Sequence, residues 1–212
     1  MRVERTSNRS YDSGVDGASF QVEVWRHPRR LDVTSIAGDF GAIVRTERLP
    51  RLLEGIARLG GVVLAAVEEE ELRGYATLVP SAALTRERWE NLPNTFELGS
   101  LEVARAHRGR GVATKLLVTL QTSLPIEDMI LFARGFCSHW DLGLTPTDPL
   151  AYRRRLLGML AKLGFQRWDT DDPEVCENRL NFFAMRAGLA VPTASLLAMT
   201  ERIGLQRGEP WW

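Results

Sequence analysis

The residues best suited to chemistry stand together between positions 105 and 113. Arg105, His107, Arg108 and Arg110 supply positive charge, and Gly109 and Gly111 strip side chains from the backbone between them. Glycine lets the chain turn sharply and lets a ligand come close, because no Cβ intervenes. Val112, Ala113, Leu116, Leu117 and Leu120 follow at the spacing of one helical stripe, which predicts a helix over 111–122. The first N–H groups of a helix have no partner within it and, with the dipole, form an anion site. The ligand this arrangement suits is a phosphate or pyrophosphate.

Two nucleotide loops share these features and fail on spacing. Gly109-Arg110-Gly111 begins like a dinucleotide fingerprint, but Thr114 stands where that motif needs Gly or Ala. A Walker loop needs Lys followed by Ser or Thr, and none follows Gly111. Arg108-x-x-Gly111-x-Ala113, with Glu97-Leu-x-x-Leu-x-Val103 ahead and an amphipathic helix behind, resembles the acetyl-CoA pyrophosphate loop of the GNAT N-acetyltransferases. That resemblance implies an α/β (α+β) fold. Its mixed central sheet would have six to seven strands, splayed between the fourth and fifth and flanked by helices. It also implies acetyl-CoA as co-substrate and no metal. Val103, Ala104 and Arg105 would meet the pantetheine through their backbone, and the N–H groups of Arg108, Gly109, Arg110, Gly111, Val112 and Ala113 would take the pyrophosphate. Leu101 and Thr114 complete the candidate cofactor-binding set.

Acetyl transfer to an amine needs a deprotonated nucleophile, and lysine is almost wholly protonated at neutral pH. Glu97 lies eleven positions before Arg108, where the resemblance places a general-base glutamate. By strict alternation it shares a strand face with Leu101 and Val103, among which a carboxylate would lose solvation and become a better base. The plainer alternative is an ion-paired glutamate at a strand edge. Glu102 has the opposite parity and reads as a structural or substrate-side acid, unless a bulge shifts the register. The family's usual acid, a Tyr four residues before the Gly-Phe that ends the last helix, is replaced by Leu160. Tyr152, two helical turns earlier, reads as a core aromatic or a substrate-side residue. Protonation of the thiolate then falls to water or to the substrate ammonium.

These residues need a frame. A strand is predicted over 18–25, helical stretches near 31–37 and 49–58, and strands over 62–67 and 72–79 joined at Glu68-Glu69-Glu70-Glu71, which reads as a solvated hairpin turn. The strand over 97–103 leads into the basic loop, and Ile126 to Phe132 is apolar enough for an interior strand. Asp148-Pro149 is a good start for a helix whose stripe is Tyr152, Leu156, Met159, Leu160 and Leu163. Strands near 165–169 and 180–187 close the domain. Residues 1–17 read as a flexible leader, 18–190 as the acetyltransferase domain and 191–212 as a tail with a short helix near 193–203, ending in Pro210-Trp211-Trp212.

His139-Trp140-Asp141 follows the fifth strand, where a splayed sheet admits substrate. His139 beside Asp141 reads either as a catalytic base with Trp140 on the substrate side, or as a structural histidine with a packing tryptophan. Several stretches resemble one narrower family, the acetoin-utilization (AcuA) protein acetyltransferases: Arg88-Trp-Glu-Asn91, Glu97-Leu-Gly-Ser-Leu-Glu-Val103, His139-Trp-Asp-Leu142, Tyr152-Arg153 and Thr170-Asp-Asp-Pro-Glu-Val-Cys176. The last reads on its own as a capped turn with Cys176 packed beneath. The resemblance implies acetylation of the active-site lysine of AMP-forming acetyl-CoA synthetase, switching that enzyme off. A small-amine acetyltransferase and a non-catalytic acetyl-CoA-binding regulator are the alternatives.

Bulk numbers fit these readings. In 212 residues, 27 basic and 27 acidic side chains cancel, which argues against general nucleic-acid or anionic-membrane binding. Cys137 and Cys176 cannot form a disulfide framework and have no zinc spacing, so a reduced, cytoplasmic setting is expected. The longest apolar run, Val62 to Val67, is too short to span a membrane. A homodimer is left open.

Overall fold

The computed structural model describes residues 20–84, 87–90, 92–142 and 148–204. The leader, the segment 143–147 and the Trp211-Trp212 end fall outside the described residues. Seven strands form one sheet in the order β1-β2-β3-β4-β5-β7-β6. They are β1 Gln21–Trp25, β2 Val62–Glu68, β3 Glu71–Pro80, β4 Thr95–Val103, β5 Ile130–Gly135, β6 Gln166–Trp168 and β7 Phe182–Ala187. Every pairing is antiparallel except β4 with β5. Among the described residues, five α-helices accompany them: α1 Leu49–Arg58, α2 Val112–Ser123, α3 Pro149–Ala161, α4 Pro173–Cys176 and α5 Thr193–Ile203.

The apolar periodicity decides which face each helix covers. Val112, Leu116, Leu117 and Leu120 of α2 and Leu160 of α3 are buried with Leu64, Leu98 and Leu131 on one face of the sheet. On the other face, Leu49, Leu53 and Ile56 of α1 pack with Val63, Leu72 and Tyr75. Met199 and Ile203 of α5 pack there with Trp89, Phe132 and Phe183. Trp89 stacks on both phenylalanines, with centroids 5.0 and 5.5 Å away.

Several predicted bounds move. The fifth strand starts at Ile130, not Ile126, because residues 126–128 coil into a 3-10 turn before pairing with β4 begins. The stretch near 31–37 holds only a 3-10 turn, Val33–Ser35. Cys176 is exposed, and Val175 beside it is the buried residue. Among the described residues, no helix is long and apolar enough to cross a membrane.

Two irregularities of β4 build the site. It pairs with β5 only at Thr95↔Ile130, Phe96↔Leu131 and Glu97↔Phe132. Beyond that point β4 stays with β3 as far as Val103, and β5 stays with β7 as far as Gly135. The two central strands therefore part. The second irregularity is a β-bulge: Leu98 pairs with Leu78 and Ser100 with the adjacent Thr77, so Gly99 has no partner. Phe96 and Leu98 before it, and Leu101 and Val103 after it, all pack toward α2 and α3. Glu97 thus does not share a face with Leu101 and Val103. It shares one with Ser100 and Glu102, correcting the parity read from the sequence.

Candidate active site

Where β4 and β5 part, a cavity of about 120 Å³ opens, lined among others by Leu98, Leu101, Arg134, Phe136, His139 and Tyr152. The basic turn is linked to it through Asp141, the neighbour of the lining residue Trp140. Gly109 and Gly111 both adopt left-handed backbone, with φ of 80° and 78°, a conformation that excludes most side chains. A Cβ built on either would meet no protein atom within 4 Å, so the space above the turn is open to a ligand. Gly111 is the N-cap of α2, and no side chain caps the helix. Its first N–H groups therefore face outward without a side-chain partner, as an anion site requires. The residues present fit a polyphosphate.

The cations of the turn are held in place by carboxylates of neighbouring elements. Asp141 Oδ2 accepts from Arg105 Nε at 2.9 Å and lies 2.8 Å from an Arg108 guanidinium nitrogen. Burial opposes the charge on Asp141, but hydrogen bonds from both arginines and their charges outweigh it and hold the carboxyl below its usual range. Arg110 and His107 each reach Glu68, at 3.3 Å. Glu68 is thus a partner of the turn; the exposed tip of the glutamate run is Glu69-Glu70, both with positive φ.

Several sequence expectations meet a different geometry. Asp141 serves Arg105 and Arg108 and does not orient His139, which is exposed and stands edge-on to Phe136 at 5.7 Å. No His–Asp pair forms there. Trp140 stacks on Tyr152 with centroids 5.3 Å apart. Burial, the largest influence, raises the Tyr152 hydroxyl pKa, with Arg108 opposing it and Asp141 adding to it. Tyr152 lines the cavity beside Trp140, and eight residues of helix put it about 12 Å along the axis from Leu160. The Ala104 N–H is committed to the carbonyl of Arg73 at 2.9 Å, and the Val103 carbonyl accepts from Arg108 Nε at 3.2 Å. Val112 is buried under the turn, whereas Ala113 and Thr114 lie at the outer side of the first helical turn.

On the opposite face, Glu97 is clamped by Arg134, whose Nε and one terminal nitrogen donate to its two oxygens at 2.8 and 3.0 Å. Arg134, which also lines the cavity, is the partner of Glu97 that sequence reading missed. An arginine inside an apolar strand needs a buried carboxylate partner, and that was the available signal. Glu102 is equally satisfied. Its Oε1 accepts from the N–H groups of Gly41 and Ala42 at 3.1 and 2.8 Å, and its Oε2 from the Tyr75 hydroxyl at 2.7 Å. Among the described residues, no group of His, Cys, Asp and Glu side chains is arranged to hold a metal ion.

Residues 32–125 of this chain, which include the glycine turn and the start of α2, match the model of the acetyltransferase (GNAT) family. The chain is similar to the acetoin utilization protein AcuA of Bacillus licheniformis, with 33% identity over 138 residues, and to that of Bacillus subtilis, with 30% over 138. Each match covers 64% of this chain and spans 65% of the relative's length. The crystal structure of the acetoin utilization protein from Exiguobacterium sibiricum superposes with a TM-score of 0.75 at 22% identity, covering 90% of this chain and 96% of that one, and so has the same fold.

Proposed function

We propose that the chain is an acetyl-CoA-dependent N-acetyltransferase whose acceptor is a protein lysine, namely the active-site lysine of AMP-forming acetyl-CoA synthetase. The observation that carries the acetyl-transfer reading is the parting of β4 and β5 beside the uncapped start of α2. The acceptor comes from the likeness to the AcuA acetyltransferases, and the exposure of His139 at the cavity mouth suits a lysine presented by a protein surface.

Bound acetyl-CoA supplies a thioester with an electrophilic acetyl carbon. The N–H groups of residues 109–113 hold its phosphates, joined by Arg105, Arg108 and Arg110 as these exchange carboxylate for phosphate. Glu97 stands at the last β4–β5 pair and is the candidate base. A bidentate guanidinium takes two of the four lone-pair positions of a carboxylate, so Glu97 can still accept the amine's proton. As the C–N bond forms and the C–S bond breaks, Leu160 offers no proton to the sulfur. That proton comes from water or from the ammonium. The deciding experiment incubates the protein with acetyl-CoA and an acetyl-CoA synthetase and maps acetylated lysines by mass spectrometry. Modification of the active-site lysine is expected. An unmodified synthetase, with robust acetylation of a polyamine instead, overturns the protein-lysine reading.

A further inference from the structure

The cavity where β4 and β5 part is walled mostly by apolar side chains, and a site of that kind is given its specificity by the few polar groups in it. Among the described residues its polar side chains are Ser100, Arg134, His139, Trp140 and Tyr152. Arg134 is committed: besides Glu97 it meets Glu174 at 3.3 Å and Asp172 at 3.7 Å. Asp172 is buried, and its other oxygen caps α4 by accepting from the Glu174 N–H at 3.0 Å. Tyr152 is not committed. It is half-buried, and among the described residues none hydrogen-bonds its hydroxyl. A buried tyrosine usually finds a partner for that group, which can donate one hydrogen bond and accept others.

The start of α3 anchors this side chain. Asp148 caps the helix by accepting from the Leu150 N–H at 3.1 Å, and Pro149 takes the first helical position. The Tyr152 N–H closes the first turn on the Asp148 carbonyl at 3.0 Å. The next residue, Arg153, donates to the Arg179 carbonyl at 2.9 Å and ties the turn to the far side of the sheet's end. The ring is then held by its stack on Trp140, whose neighbour Asp141 binds Arg105 and Arg108 of the basic turn. Burial acts most on the hydroxyl, and the charges of Arg108, Asp141, Arg155 and, from β4, Glu102 reach it as well. Tyr152 thus lines the cavity on one side and is joined to the turn on the other. A ligand with its phosphates on the turn and its thioester in the cavity runs past this hydroxyl.

We propose that the Tyr152 hydroxyl donates a hydrogen bond to an amide carbonyl of the arm that joins the phosphates of acetyl-CoA to its thioester. This deepens the acetyl-CoA reading and rests on it. Tyr152→Phe keeps the ring and its stack on Trp140 and removes only the hydroxyl. In calorimetric titrations its Kd for coenzyme A should rise about fivefold to tenfold, the loss of one neutral hydrogen bond. Its Kd for ADP, which has the phosphates but no arm, should equal the parent's. In turnover the KM for acetyl-CoA should rise by the same factor with kcat unchanged, the mark of uniform binding. A coenzyme A Kd equal to the parent's, or an equal loss for ADP, overturns the contact. A fall in kcat with Kd unchanged overturns it too, and makes the hydroxyl a proton donor to the thiolate. If the parent itself does not bind coenzyme A, the acetyl-CoA reading fails and takes the contact with it. If the parent binds coenzyme A and transfers no acetyl group, the transfer reading fails and the contact stands on the Kd difference.

Discussion

Glu97 and Glu102 lie five residues apart on one strand, and the bulge at Gly99 turns them to the same face. Their surroundings differ in kind. Glu97 faces a guanidinium and two further carboxylates where the sheet opens. Glu102 faces two backbone N–H groups and a phenol, all neutral donors, where the sheet is closed against the segment before α1. The first is an ionic cluster beside a cavity; the second is a pin that fastens residues 41–42 to the sheet. The contrast separates the carboxylate we propose as base from one whose partners tie it to the structure.

The hardest blow to this contrast is Arg134→Ala. It leaves Glu97 and Asp172 buried without a counter-charge, and removing one partner of a buried ion pair costs about 3–5 kcal/mol. Urea unfolding should show that loss, and Glu97→Gln combined with Arg134→Met should recover most of it. If Arg134→Ala unfolds like the parent, the cluster is hydrated and the ionic account of Glu97 fails.

Turnover gives the next largest effect. With Glu97 as base, Glu97→Gln should lower kcat/KM by about 100-fold or more, the usual scale of general-base catalysis, without changing acetyl-CoA affinity. Glu102→Gln should leave kcat/KM close to the parent's and lower stability instead. The reverse pattern would move the base to Glu102.

Tyr75 tests the pin. Burial, then the charge of Glu102 and its hydrogen bond, push the Tyr75 hydroxyl far above its ordinary value. A group whose folded pKa is raised stabilises the fold fully below its unfolded pKa, which for tyrosine is about 10. The unfolded chain ionises above that pH and the folded one does not, so stability should fall as pH rises past it. Tyr75→Phe should lose about 1–3 kcal/mol at neutral pH by leaving Glu102 short of a donor, and should flatten the alkaline decline. A Tyr75→Phe variant that still weakens as steeply above that pH would assign the decline to other groups.

The shape of the basic turn was legible in the sequence because it is local. Gly109 and Gly111 take left-handed backbone and start α2 within a few residues. The carboxylates were not, because their partners are remote: Arg134 lies 37 residues from Glu97, and Tyr75 lies 27 from Glu102. The pairing of His139 with Asp141 looked natural from adjacency, yet Asp141 is drawn 36 residues back to Arg105. Strand parity failed for another reason. Alternation holds only while the ladder is regular, and a single unpaired residue inverts every assignment after it.

Gly99 is that residue, and it gives the smallest and most discriminating test. Its φ is not in the left-handed range, and a Cβ there would meet Val79 Cγ2 at 3.4 Å and Thr77 Oγ1 at 3.5 Å, ordinary contacts. The bulge therefore does not depend on glycine. It is held by what flanks it: Leu98 in the α2 face, Glu97 on Arg134 and Glu102 on Tyr75, none of which survives a shift of one residue. Gly99→Ala should change stability by less than about 1 kcal/mol and leave both glutamates where they are, so Tyr75→Phe in that background should cost the same as in the parent. Were the cost to vanish, the alanine would have erased the bulge and moved Glu102 off its pin, and the shared face of the two glutamates would have glycine as its cause.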